Sequence, residues 1–115
     1  MTPTTRVVVR DLAEAEAALK AGAAILESPP GAGRYWGAPY FLALVAAAQA
    51  AMPDATFEAI LDCGDSPGLA VEALRQGVRA VRVAGDARVV AAVADIAAQL
   101  GARVETAPRP DGASS

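Results

Sequence analysis

The chain has 115 residues, 54% of them apolar, and a formal net charge of −3 with 13 acidic and 10 basic side chains. This length suits one domain with a single core, and the scattered basic residues form no patch for a nucleic-acid backbone. Because the sequence holds no histidine and one cysteine, Ser-His and Cys-His nucleophile pairs and an intramolecular disulfide are excluded. We predict a reducing, cytoplasmic location and neither a bound metal nor a cofactor.

Strand and helix signals alternate along the chain. Short β-branched or apolar runs predict strands at 7–9, 23–27, 57–62 and 78–83, with a weak edge strand at 103–105. Capping residues predict helices from Asp11 to Gly22, from about Pro39 to Met52, from Ser66-Pro67 to Gly77, and from Asp86 to Leu100. The order βαβαβαβαβ predicts an α/β domain over 1–106 with a parallel sheet. The tail at 107–115 is rich in Pro, Gly and Ser and is predicted to be disordered.

The region 35–53 carries no charged residue. Its apolar part is interrupted by Gly37 and Pro39 and is too short to span a membrane. The predicted helix in it has one polar side chain, Gln49, where a surface helix normally shows a polar face. We therefore expect a homo-oligomer that covers this helix, and no membrane partner.

One sequence unit repeats. The segments ALKAGAAILE (18–27), ALRQGVRAVR (73–82) and, more loosely, AAQLGARVET (97–106) place a helix end, a glycine and a strand in the same frame. The unit is about a quarter of the chain, the size of one βα unit of a (βα)8 barrel. Four such units make half a barrel. A flavodoxin-like doubly wound sheet is the alternative, because it also alternates strands with helices.

The polarity of the strands favours the half-barrel. Side chains alternate between the two faces of a strand, and this places on one shared polar side Arg6, Val8, Arg10, Glu58, Ile60, Asp62, Ala80 and Arg82. A doubly wound sheet lies under helices on both faces, where charged positions in mid-strand are costly. We predict that Arg10, Glu27, Asp62 and Arg82 point into a barrel-like interior near the carboxyl ends of the strands.

These charged residues are the main functional candidates. Glu27 and Asp62 end strands on the polar face, where the acids and bases of barrel enzymes lie, so both are candidate catalytic groups. Ion pairing with Arg10 and Arg82 is the alternative role for them. Arg10 and Arg82 are candidate clamps for a phosphate or carboxylate, together with Gly85 at a predicted helix start.

Two further features bear on the site. Arg34, Tyr35 and Trp36 lie in SPPGAGRYWGAP, which is too long for a simple connection between a strand and a helix and predicts either a lid or an oligomer contact. Cys63 falls on the helix-facing side of its strand and is predicted to be a small core residue.

The segments TRVVVRDLAEAEAALKAGAAILE, GAPYF and MPDATFEAILDCGDSPGLAVEALRQGVRAVRVAGD together resemble the N-terminal half of the lysine-dependent (βα)8 synthases of methanofuran biosynthesis. Those enzymes join two triose phosphates into a furan phosphate. The chain is more faintly similar to the 2-keto-3-deoxy-6-phosphogluconate aldolases. The resemblance covers residues 5 to about 86 and implies a barrel-type site for a phosphorylated substrate, with Glu27 as the matching acid.

The lysines of those families do not carry over. Ser28 and Pro29 follow Glu27 where the synthases have a lysine, and Arg82 replaces a second lysine on the fourth strand. The single lysine, Lys20, lies within a predicted helix. Because arginine stays protonated, it does not form a Schiff base.

Two functions are compatible with these observations. One is a small enzyme or binding protein for a phosphorylated or carboxylated metabolite, related to lyases and synthases but without a Schiff-base lysine. The other is a non-catalytic half-barrel that acts as an oligomeric or partner-binding subunit. The first predicts that Arg10, Glu27, Asp62 and Arg82 converge on a cavity. The second predicts that these charges neutralise one another or pair across an interface.

Overall fold

The computed structural model describes residues 5–106, which form an α/β fold of five strands and five helices. The strands are β1 (Arg6–Val8), β2 (Ile25–Glu27), β3 (Glu58–Asp62), β4 (Ala80–Val83) and β5 (Arg103–Thr106). The helices are α1 (Leu12–Lys20), α2 (Ala32–Tyr35), α3 (Gly37–Ala51), α4 (Pro67–Arg75) and α5 (Ala87–Gln99). The predicted tail at 107–115 lies outside the described residues. Within 5–106 no helix is both long and apolar enough to cross a membrane.

The helix starts predicted from capping residues are confirmed. Side-chain oxygens of Asp11, Ser66 and Asp86 accept the backbone N–H three residues ahead, at the starts of α1, α4 and α5. Each bond satisfies a backbone donor that has no partner inside the helix.

The repeated helix ends are confirmed as well. Gly22, Gly77 and Gly101 follow α1, α4 and α5 with φ values of 94°, 110° and 72°, a left-handed conformation that glycine adopts without steric cost. The residue after each glycine donates its N–H to a carbonyl five residues back: Ala23 to Ala18, Val78 to Ala73 and Ala102 to Ala97. This is the Schellman motif, and it turns each helix directly into the next strand.

The stretch predicted as an open loop contains the single turn α2. Gly33 in this turn lies so close to the end of β3 that an added Cβ would be 3.1 Å from the Cys63 sulfur and 3.2 Å from the Asp62 carbonyl oxygen. A side chain at this position would have to displace the end of β3 by a few tenths of an ångström. The turn is stabilised by contact with the core rather than by local propensity, which is why periodicity did not indicate it.

The sheet is entirely parallel, with the strands in the order β1-β2-β3-β4-β5. Connections between parallel strands are right-handed. A sheet in which each new strand is added on the same side of the preceding strand therefore carries all of its helices on one face. This is the order of consecutive strands in a (βα)8 barrel, whereas flavodoxin-like sheets have the order 2-1-3-4-5. The observed topology is that of the predicted half-barrel.

The two faces of the sheet differ as the alternation predicts. The residues expected to pack under helices, Phe57, Ala59, Leu61, Val81 and Val83, do so in two apolar clusters. The opposite face contains a small apolar layer of Ile25, Ile60 and Ala80, to which none of the described helices contributes an apolar side chain. The charged side chains of the strands lie on this same face.

Curvature brings the two edges of the sheet together. Arg6 in β1 forms two hydrogen bonds with Glu105 in β5, at 2.8 and 2.7 Å. In a flat sheet these edge strands would be about 19 Å apart, four spacings of about 4.8 Å. When the pairing register of the strands is continued beyond the paired residues, Gly101 lies opposite Arg6, four residues before Glu105. An offset of one residue per strand is the stagger of a (βα)8 barrel, so the sheet curves as an arc of such a barrel.

Candidate functional site

A network of ion pairs fills the concave face, and Arg82 lies at its centre. The guanidinium of Arg82 donates to Glu105 Oε1 from Nε at 3.1 Å and from Nη2 at 2.6 Å. Its Nη1 is 2.8 Å from Glu27 Oε1 and 3.6 Å from Asp62 Oδ2. The Arg82 side chain is 17% exposed. All three nitrogens of this guanidinium therefore face carboxylates of the chain itself.

Arg6 extends the network to the edge of the sheet. Besides its two bonds to Glu105, it donates from Nη1 to Glu27 Oε2 at 3.1 Å. A further pair joins β5 to β3, where Arg103 Nε donates to Glu58 Oε2 at 2.6 Å. The network thus crosses all five strands.

The sequence indicated only part of this network. Glu27, Asp62 and Arg82 were selected and are brought together, whereas Arg6 was placed on the polar face without a role and Glu105 was not selected. Arg6 and Glu105 are 99 positions apart, and only the curvature of the sheet brings them into contact. The alternation of charged and apolar residues in β5 was the available signal for Glu105.

The ion pairs lie on the same face of the sheet as the apolar layer. Ile60 is 0% exposed although none of the described helices contributes an apolar side chain to this layer. Pairs that run from β1 to β5 and from β3 to β5 cross over this layer, and the methylene stems of arginine pack well on apolar surface. We therefore expect these pairs to shield Ile60 from solvent.

The electrostatics of the network hold Glu27 and Glu105 in their charged form. Hydrogen bonding by Arg82 lowers the pKa of Glu27 below its usual range, and hydrogen bonding by Arg6 lowers the pKa of Glu105 to about 2. A carboxyl group with a lowered pKa is a poor proton donor at neutral pH. Glu27 is thus an ion-pair partner in this fold and is badly suited to act as a general acid.

Asp62 connects two loops at the carboxyl end of the sheet. Its Oδ1 accepts the backbone N–H of Gly31 at 3.0 Å and that of Gly64 at 2.8 Å. Its own N–H donates to the Ser28 hydroxyl at 2.9 Å. One carboxylate oxygen therefore fixes the β2–α2 connection against the β3–α4 connection.

A cavity of about 590 Å³ opens beside Asp62, at the carboxyl ends of β3, β4 and β5. Its polar lining side chains include Arg34, Asp62, Asp65, Arg82, Glu105 and Thr106. Arg34 on α2 is 68% exposed, and its Nη2 is 3.6 Å from Asp65 Oδ1. This loose pair leaves the guanidinium of Arg34 accessible from the cavity.

Of the four residues predicted to converge on a cavity, only Asp62 and Arg82 line it, since Glu27 takes part in the ion-pair network outside the lining. The prediction for Arg10 is wrong, because this residue follows the end of β1 and is exposed instead of facing the interior. Its Nη1 lies 3.8 Å from Glu14 Oε1. Gly85 is exposed just before α5 and is not part of the cavity lining. Tyr35 is exposed, whereas Trp36 packs on the core. The rings of Trp36 and Tyr40 meet edge to face, with their centroids 4.9 Å apart.

The potential nucleophiles are poorly placed for catalysis. Cys63 is buried, and burial raises the pKa of its thiol to about 12, so the thiol stays protonated at neutral pH. Lys20 ends α1 and precedes β2, which places it at the opposite end of the sheet from the cavity. Among residues 5–106, no group of three or more acidic or cysteine side chains is arranged to hold a metal ion.

The chain matches no protein-family model, and no curated protein matches it significantly.

Proposed function

We propose that this half-barrel binds a small phosphorylated or carboxylated metabolite, without forming a Schiff base, in the cavity beside Asp62. The supporting observation is that Arg34, Asp62 and Arg82 meet at one cavity at the carboxyl ends of the strands. Barrels of parallel strands bind their ligands at this end. The resemblance to phosphate-sugar synthases supports the same ligand class.

The arrangement of the guanidiniums suggests how an anion is held. Every nitrogen of Arg82 already faces a carboxylate, so its role in the proposal is to brace the site. Arg34 is exposed and loosely paired, and a planar guanidinium suits a phosphate or carboxylate. The proposal therefore assigns the anion to Arg34. A reducing cytoplasm, where the Cys63 thiol stays free, belongs to the same proposal.

Thermal unfolding with a panel of phosphorylated sugars and keto acids tests this function. A ligand present at about 100 times its dissociation constant adds roughly 2.7 kcal/mol to stability and raises the midpoint. We expect this shift in the wild type and in Arg10→Ala, but not in Arg34→Ala. A panel without any shift, or an equal shift in Arg34→Ala, would contradict the proposed site.

A second candidate function is that of an oligomeric or partner-binding subunit. The network charges neutralise one another within the chain, as this function predicts. Helix α3 also exposes Tyr40 and several alanines and has no charged side chain. The amide of Gln49, its one polar side chain, donates to the carbonyls of Met52 and Ala55. A second copy packed on α3 would meet no charge.

Light scattering tests this candidate. We expect the wild type to have the mass of a dimer, and Ala43→Glu on the exposed side of α3 to have that of a monomer, because a buried interface does not accommodate an unpaired carboxylate. Ala17→Glu on the exposed side of α1 is the control and should leave the mass unchanged. A monomeric wild type would rule out self-association through α3.

A further inference from the structure

The two oxygens of the Asp62 carboxylate differ in their hydrogen bonding within residues 5–106. Its side chain is only 10% exposed. Oδ1 accepts two backbone N–H groups. Among residues 5–106 no group donates a hydrogen bond to Oδ2, because Arg82 Nη1 at 3.6 Å is too distant.

The Oδ2 atom of Asp62 is not fully buried. In the described part of the chain, every fully buried side-chain nitrogen or oxygen has a hydrogen-bond partner. Since Oδ2 has none, it is not fully buried, and Asp62 lines the cavity. A nearly buried carboxylate with an open acceptor site selects a partner that donates a hydrogen bond.

The chemistry of that partner is restricted. An ionised carboxylate only accepts hydrogen bonds, and it repels a second carboxylate or a phosphate. The anionic end of a ligand is therefore unfavourable at Asp62 and favourable at Arg34, on another part of the lining. Resting on the proposed function, we infer that the ligand is bifunctional: a hydroxyl or ammonium group donates to Asp62 Oδ2, and a phosphate or carboxylate pairs with Arg34.

Ligands that differ only in the donor group test this inference. Butyrate, 4-hydroxybutyrate and 4-aminobutyrate share a four-carbon monocarboxylate chain and carry hydrogen, hydroxyl or ammonium at the carbon farthest from the carboxylate. Propyl phosphate and glycerol 3-phosphate form a second pair, without and with hydroxyls. Titration calorimetry should show the donor-bearing member of a series binding roughly 10- to 100-fold more tightly, the usual effect of a hydrogen bond to a charged group. Comparing 4-hydroxybutyrate with 4-aminobutyrate shows whether a hydroxyl or an ammonium donor is preferred.

Asp62→Asn is the matched variant. The amide oxygen of asparagine still accepts the N–H groups of Gly31 and Gly64, while its NH₂ group puts a donor in place of Oδ2. We expect the variant to stay folded by thermal unfolding and to lose or reverse the preference for donor-bearing ligands. Arg34→Ala should weaken all of the ligands alike.

The outcomes separate this inference from the proposed function. Equal affinities within both series, or a preference that Asp62→Asn retains, overturn the inference while the cavity remains a site for anionic metabolites. Binding by none of the five compounds overturns both. A donor preference that is present in the wild type and absent in Asp62→Asn supports both.

Discussion

Arg82→Ala is expected to lower the free energy of unfolding by about 3 to 5 kcal/mol, the usual result of removing one partner from a buried ion pair. The variant removes the positive charge that neighbours the buried carboxylates of Glu27 and Asp62, and it removes two hydrogen bonds to Glu105. Urea unfolding at pH 7 measures the change. Arg10→Ala is the control, since Arg10 is exposed and only loosely paired with Glu14, and it should change stability by no more than about 0.5 kcal/mol.

The pH dependence of the same variant reports on the network separately. In the wild type, the lowered pKa values of Glu27 and Glu105 stabilise the fold above the unfolded-state value of 4.5, and this stability is lost as the pH falls towards about 2. Arg82→Ala removes the main cause of the Glu27 shift, so its stability should fall less steeply over that range. A loss below about 1 kcal/mol at pH 7 with an unchanged acid profile would show that the network contributes little.

Ile60→Ala is expected to destabilise the protein by about 2 to 5 kcal/mol, as in a closed core. Ile60 lies on the concave face of the sheet, yet it is 0% exposed. If the ion pairs of the curved sheet close over it, the truncation leaves a cavity that the surrounding structure fills only in part. Chemical unfolding measures the effect.

Val8→Ala gives the comparison for this second variant. Val8 lies on the same face of the sheet but is 42% exposed, so truncating it should cost less than about 1 kcal/mol. Equal small losses at both positions would show that the concave face is open and that the network does not seal it.

The elements of this fold were predictable because their signals are local. The caps of α1, α4 and α5 depend on a side chain and an N–H three residues ahead, and the glycine after each helix depends on one backbone conformation. Alternation along the strands likewise assigned Leu61 and Val81 to the helix side and Asp62 and Arg82 to the other. These inferences need only the geometry of a single helix or strand.

The predictions for Arg10 and for the loop that contains α2 were wrong because they relied on the pattern of a single strand or helix. Arg10 was placed on the polar face by continuing the alternation of β1, but the strand ends at Val8 and the chain turns into α1. Glu14 then accepts the backbone N–H of Arg10, which holds this residue at the start of the helix. The turn α2 was missed because the contacts of Gly33 with Cys63 are made across the fold.

Local sequence signals suffice to predict the alternation of strands and helices, the helix ends and the side of each strand that carries charge. Which charges pair, and that Arg34 and Asp62 share a cavity, is visible only in the folded chain. The difference lies in the sequence distance over which each interaction acts. Capping and alternation act within a few residues, whereas the contact between Arg6 and Glu105 depends on the curvature and stagger of five strands together.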